Sequence, residues 1–326
     1  MPETQEVINQ HYVPQSYLKK FTYDGKRLYV FDKFTGRSNS RSTKSVASET
    51  RFYDFHPVIY KEFRKRVASG EVAQDEAKLL GKALDPQMIE HELAAREAKF
   101  PPLFEAVLEA IKQKQSITEE QRWNLAEFIV LQFLRTPEYR RELIELQLSV
   151  STEAIRRMLI MKNIATDEFQ LKFDEKYASL EHAQLMFDPD LQLALCQALV
   201  NHIWLIGVNM TTSHFYTSDT PIVKRTHDKH PLIGTGLGSY SVEVAFPLTP
   251  KHMLILRERT HFHDLQQLDL HTVPMTPENV IYYNSLQVFQ SYRYVYCPFG
   301  EFLLAADISC GHPEICMPER KRWKIS

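Results

Sequence analysis

The stretch Thr118-Glu119-Glu120-Gln121-Arg122-Trp123-Asn124-Leu125-Ala126-Glu127-Phe128-Ile129-Val130-Leu131-Gln132-Phe133-Leu134-Arg135-Thr136-Pro137 decides the fold class. It opens on a capping box, in which the threonine side chain takes an amide of the first turn and the glutamine three residues on returns the bond. From Leu125 to Leu134 it is apolar almost all round, which suits the centre of a helical bundle better than a surface helix. Gln132 and Arg135, three apart, share one face, and Thr136-Pro137 ends or kinks the helix just beyond them.

Working outward, Leu103, Val107, Leu108 and Ile111 recur at helical spacing after Pro101-Pro102. Asp85-Pro86 reads as a cap followed by proline in the first turn of a helix running to Lys99. On the other side, helical character extends from Arg140 to Met161, and a charged region from Asp167 to Glu181 follows. Asp188-Pro189 then opens a helix ending near His202. From Ile203 the texture changes to short β-rich runs: Trp204–Val208, Phe215–Thr217, Val242–Phe246 and Met253–Leu256. Thr276-Pro277-Glu278 caps a further helix to about Tyr292, Arg293–Tyr296 reads as a final strand, and a basic tail, Arg320-Lys321-Arg322, follows.

Near the start, Asp24-Gly25 lies between Phe21–Tyr23 and Leu28–Phe31, which predicts a β-hairpin through a type I′ turn. Phe34–Arg37 is a second turn signal. The polar run Ser38–Lys44 reads as a mobile loop leading to Val46 and the aromatic cluster Phe52–Phe55. The expectation is an α+β protein, mainly a helical bundle, with an N-terminal β-hairpin and a small C-terminal antiparallel sheet. Its divisions fall at residues 1–73 (opening motif and hairpin), 74–202 (bundle) and 203–326 (α+β region packing with the hairpin as one compact unit).

Composition bounds the function. With 326 residues, 44% apolar, 25% charged and a net charge of −2, the chain is globular, and no global field steers it to phosphate backbones or a membrane surface. Four cysteines and no signal peptide at Met1-Pro2-Glu3-Thr4 point to free thiols in a reducing cytoplasm. The longest apolar run, Phe128–Leu131, falls far short of the roughly 20 residues of a membrane span, so a soluble protein without a membrane partner is expected. Dinucleotide, Walker, nucleophile-elbow and His-Glu-x-x-His patterns do not occur.

Several polar residues interrupt apolar context. His11, in Gln10-His11-Tyr12-Val13-Pro14-Gln15-Ser16-Tyr17-Leu18, suits a general base, an acid, a metal ligand, or a core histidine satisfied by a backbone carbonyl. Arg135, at the end of so apolar a helix, requires either a carboxylate or an anionic ligand. Asp219, in Thr217-Ser218-Asp219-Thr220-Pro221, is placed to bind a metal, hold His11, pair with Arg135, or close a turn before proline. Asn284 is suited to bond a ligand or to cross-link backbone. Glu90, Glu92 and Glu97 suit a metal site only if their helix face points inward. Cys310, His312 and Cys316 lack the spacing of a zinc finger. The basic stretch Arg37–Arg51 is diluted by serine and threonine.

Four motifs in order, His-x-Val-Pro-x-x-Tyr-Leu (His11–Leu18), Gln-x-x-Arg-Thr-Pro (Gln132–Pro137), Thr-Ser-Asp-x-Pro (Thr217–Pro221) and Phe-Pro-Leu-Thr-Pro (Phe246–Pro250), resemble a bacterial family, the domain-of-unknown-function family 4238. The resemblance runs from about His11 to the helix holding Asn284. It implies that His11, Pro14, Tyr17, Leu18, Gln132, Arg135, Ser218, Asp219, Pro221, Pro247 and Asn284 are motif positions, and it names no activity.

The expected function is an intracellular hydrolase or phosphodiesterase-like enzyme, a nuclease among the options, with one pocket between the helical half and the sheet. In it His11 handles protons, Arg135 stabilises a developing anion, and Asp219 orients His11 or holds a divalent metal ion, while Tyr17, Gln132, Ser218 and Asn284 bind substrate. The alternative is a non-catalytic binding module or sensor for a nucleotide or other anionic small molecule, in which Gln132, Arg135 and Asn284 read the ligand. A third reading makes the motifs a buried hydrogen-bond network that fixes the fold.

Overall fold

The capping box forms as the sequence requires. The Thr118 hydroxyl accepts from the Gln121 amide at 3.1 Å, and the Gln121 side chain accepts from the Thr118 amide at 2.8 Å. The helix it opens, Glu119–Leu134, buries residues on every side, Leu125, Phe128, Ile129, Val130 and Leu134 among them, and lies at the centre of the molecule.

The computed structural model describes residues 6–71, 87–164, 169–228 and 236–322. In chain order, helices α1 (Gln15–Leu18), α2 (Pro57–Ala68), α3 (Met88–Glu97), α4 (Phe100–Lys112), α5 (Glu119–Leu134), α6 (Pro137–Met161), α7 (Ala178–Met186) and α8 (Pro189–Asn201) precede the large sheet, and α9 (Pro277–Gln290) and α10 (Leu303–Gly311) follow it. The strands are β1 (Asn9–His11), β2 (Arg27–Asp32), β3 (Arg37–Ser42), β4 (Ser48–Thr50), β5 (Ile203–Asn209), β6 (Thr217–Ser218), β7 (Val223–Thr226), β8 (Val242–Thr249), β9 (His252–Arg257), β10 (His271–Met275) and β11 (Tyr294–Cys297).

They form a five-stranded sheet in the order β10-β5-β9-β8-β7, a four-stranded sheet in the order β3-β2-β11-β6, and the pair β1-β4. All pairings are antiparallel except β10 with β5. The α+β expectation holds. The large sheet is buried on both faces, which explains its continuous apolar strands. Trp204, Ile206, Val244, Phe246, Leu254 and Leu256 pack with the helices around α5, while Ile203, Leu205, Ala245, Met253 and Ile255 face Val280 and Tyr283 of α9. In the smaller sheet Leu28, Val30 and Tyr296 join the main core, and Phe31, Val295 and Cys297 pack against Phe302 and Ala305 at α10.

Several local expectations shift. The N-terminal hairpin is present, but its turn is the second signal, between β2 and β3, where Gly36 has φ +66° and its amide donates to the Asp32 carbonyl at 2.8 Å. Asp24-Gly25 instead leads into β2, the Asp24 carboxylate accepting from the amides of Lys26 and Arg27. Phe21, fully buried in a short 3-10 segment, belongs to the core, and its place there excludes an outgoing strand. The polar run read as a mobile loop is largely strand β3, an exposed edge in which serine and arginine side chains face water while the backbone pairs with β2. Of Phe215–Thr217 only Thr217 is in a strand. The basic tail does not run free: Arg320 and Arg322 both reach Glu138 at the start of α6. The helix start at Asp85-Pro86, and the boundary at residues 73–74, lie outside the described residues.

Among the described residues no helix is long and apolar enough to cross a membrane. All four cysteines are free thiols.

Candidate functional site

The segment from His11 to Tyr17 connects all four motifs. The Arg135 guanidinium donates to the His11 carbonyl at 2.5 Å, and the Gln132 amide donates to the Tyr12 carbonyl at 2.9 Å. Tyr17 donates to the Pro247 carbonyl at 2.7 Å and so accepts from the Thr217 hydroxyl, also at 2.7 Å. Pro247 sits at a register shift between β8 and β9, the kind of place a sheet tolerates proline. The Tyr17 ring stacks on Phe246, with centroids 5.1 Å apart, and packs on Phe21, Phe104 and Phe128. Burial therefore pushes its phenol well above the ordinary range, which makes it a neutral donor.

Asp219 is fully buried and none of its three suggested charge partners takes it. Its carboxylate accepts from the amides of Tyr292, Arg293 and Tyr294, each at 2.7 Å, and so fixes the chain between α9 and β11. Burial raises this carboxyl above its ordinary range, while the three amides and Lys33 hold the rise in check. Lys33, also buried, donates to the carbonyls of Val288 and Ser291, the last turn of α9, where a cation meets the negative end of a helix. Ser218 donates to Gln287 at 2.7 Å. The Asn284 side chain cross-links backbone, accepting from Tyr216 and donating to His214, and also lines a cavity of about 530 Å³ with His214 and Phe299.

At the other end of the segment the geometry is different. Arg135 is almost fully buried, pairs with Glu97 of α3 at 2.5 Å, and has the Tyr53 hydroxyl 3.4 Å from its Nε. The carboxylate its burial demanded is thus protein, and Tyr53 and Glu97 hold its charge in place against burial. Beside this pair are two part-buried titratable groups, each with a buried atom that lacks a hydrogen-bond partner among the described residues: His11 at Nε2 and Glu90 at Oε2. Burial pushes the Glu90 carboxyl up to about 7; Arg135 opposes the rise, and Glu97 and Asp54 add to it. Burial likewise lowers the His11 imidazole, with the Thr43 backbone opposing and Arg135 adding to the fall. A carboxyl raised to about 7 and an imidazole kept neutral by burial, both within the field of Arg135, are the residue types proton transfer uses.

Tyr53 is the participant absent from the sequence reading, and Glu90 and Glu97, considered there only as metal ligands, are brought instead to Arg135. Glu97 was signalled by the unpaired charge on Arg135, and the seven-residue spacing from Glu90 puts both near one face of α3. That face does turn inward, but Glu92 leaves it to pair with Arg96 at 2.7 Å. Among the described residues no three His, Cys, Asp or Glu side chains are grouped to hold a metal ion, at this place or around Cys310 and His312. His11, Arg135, Gln132, Tyr53, Glu90 and Glu97 therefore make one cluster, Tyr17, Thr217, Ser218 and Asp219 line the interior junction of the two sheets, and Asn284 belongs to a third place.

The family model described as "Protein of unknown function (DUF4238)" matches residues 9–297, which includes every residue of these clusters. No curated protein and no solved structure matches the chain.

Proposed function

The chain belongs to the DUF4238 family of proteins of unknown function, and on that premise we propose that it is a hydrolase of the phosphodiesterase type, acting on an anionic ester such as a nucleic acid strand. The observation that carries the reading is the pair of buried atoms without a hydrogen-bond partner among the described residues, His11 Nε2 and Glu90 Oε2, near the charge of Arg135. In the proposed reaction water attacks phosphorus and loses its proton to His11 Nε2. The bond to the leaving oxygen breaks, and protonated Glu90 supplies the proton that oxygen needs. Arg135 contributes positive charge to the phosphoryl oxygens while remaining tied to Glu97 and to β1. Asp219, committed to three amides, takes no part in the proton transfers.

The test is turnover of bis(4-nitrophenyl) phosphate and of a single-stranded oligonucleotide, each with and without added Mg²⁺ or Mn²⁺. His11→Ala and Glu90→Gln should each lower kcat by about 100-fold or more in variants that unfold cooperatively and remain folded at the assay temperature, and Glu90→Gln should remove a limb of the pH–rate profile near pH 7. Unchanged rates in both variants, or no turnover by the parent protein, overturns the reading. Tight binding of an anionic ligand without turnover, weakened by His11→Ala, would mark the sensor alternative.

A further inference from the structure

Away from that cluster, the first residues of α6, the loop after Asp219 and the C-terminal tail enclose a cleft of about 240 Å³. Its walls carry four cations, Lys224, Arg320, Lys321 and Arg322, against two carboxylates, Glu138 and Glu142. Two of the cations are held rigidly. Arg320 donates to the carbonyls of Ser291 and Tyr292 and pairs with Glu138 at 2.7 Å, and Arg322 lies 3.1 Å from the same Glu138 oxygen. Glu138 is thus shared between two guanidiniums, leaving the local charge positive.

Besides Glu138 Oε2 and Arg322 Nε, which have no hydrogen bond of their own beside the ion pair, two side chains find no hydrogen-bond partner among the described residues. Thr220 is 6% exposed, lines the cleft, and its hydroxyl has no partner among the described residues. Lys224 has its backbone pinned on both sides by the Gln290 side chain, and its ammonium lies over the Phe133 ring, 4.9 Å from the centroid, with no hydrogen bond to a described residue. Burial lowers this lysine, and Glu142 opposes the fall. A hydroxyl and an ammonium left without acceptors in a positive cleft call for an oxyanion, because charge-assisted hydrogen bonds to an anion are the bonds both can make. The positive end of α6, whose N-cap Thr136 also lines the cleft, favours the same ligand. The volume lies below the roughly 300–1,000 Å³ of drug-sized sites, so the occupant is small.

We propose that this cleft binds a small phosphate-type oxyanion, either free phosphate or the phosphate of a short monoester, through Lys224 Nζ and Thr220 Oγ1, with Arg320 and Arg322 supplying the field. The site is separate from the His11 and Glu90 cluster, so it stands or falls independently of the hydrolase reading.

The experiment is titration calorimetry of the full chain with inorganic phosphate and with methyl phosphate at constant ionic strength. Saturable binding is expected, weakened about tenfold by Lys224→Met and by Thr220→Val, retained in Lys224→Arg and unaffected by Glu90→Gln. Tighter binding of methyl phosphate would identify a monoester as the ligand, and equal or weaker binding would identify free phosphate. Absence of saturable binding, or equal binding by the parent and a Lys224→Met variant whose melting temperature shows it folded, overturns the proposal.

Discussion

The Arg135 guanidinium donates to the carbonyl of His11, joining the end of the central helix to a strand 124 positions earlier in the chain. Through that bond and the Glu97 ion pair, one buried charge organises three separate segments, α3, β1 and α5. The same charge also acts on the two titratable groups nearby, opposing the burial-driven rise of Glu90 and adding to the burial-driven fall of His11.

Replacing Glu97 by Leu leaves the Arg135 charge buried and without its carboxylate, a situation that costs about 3–5 kcal/mol in buried pairs. A cost nearer the lower end is expected because Glu97 retains some exposure. Urea unfolding should show this loss, and adding Arg135→Met to Glu97→Leu should recover part of it. If the double variant is as unstable as the summed single losses, the pair does not act as a unit.

The Glu90 carboxyl, at about 7 against an ordinary 4.5, makes stability depend on pH. Between those values the folded chain keeps a proton that the unfolded chain releases, so this group lowers stability as pH rises through that window. Glu90→Gln should therefore raise the melting temperature relative to the parent at pH 8 and leave it unchanged at pH 4. Equal differences at both pH values would show that the carboxyl is not raised. The lowered His11 imidazole works in the opposite sense, its contribution being lost as pH falls below about 6.5.

Asp219→Asn keeps the shape but substitutes one acceptor oxygen and an amide group for two oxygens that serve three amides. At least one of the Tyr292, Arg293 and Tyr294 N–H groups then loses its acceptor, at about 1–3 kcal/mol for a buried donor. Hydrogen exchange at those three amides should speed up before any other part of the four-stranded sheet changes. Unaltered protection there would contradict the arrangement.

Tyr17→Phe preserves the ring packing on Phe246, Phe104 and Phe128 while removing the hydroxyl shared by Thr217 and Pro247. A loss of about 1–3 kcal/mol in unfolding free energy is expected from the acceptor left empty, with near-ultraviolet circular dichroism otherwise preserved. Thr217→Val should cost less than Tyr17→Phe, because the Pro247 carbonyl keeps its donor.

The helix boundaries were legible because caps are local. Thr118 with Gln121, Asp188 before Pro189 and Thr276 before Pro277 each satisfy the first-turn amides with a side chain two or three residues away. The hairpin turn was misplaced because Asp24-Gly25 is an equally good local signal, and only the burial of Phe21 in the shared core decides against it. Strand β3 escaped notice for a related reason: its side chains face water, so it has no apolar alternation, and its reason to be extended is the backbone ladder of β2.

The site divides along the same line. That Arg135 must be paired, and that Gln132 shares its face, follow from residue type and helical spacing alone, as does the α+β class from caps, apolar runs and the change of texture at Ile203. Which carboxylate answers Arg135, that Asp219 spends itself on the amides of residues 292–294, and that Glu90 is driven toward neutrality by burial near Arg135 were decided by the tertiary structure. Those outcomes depend on desolvation and on contacts between segments as far as 124 residues apart. Spacing along one chain carries periodicity and capping but no record of which distant groups share a dry interior.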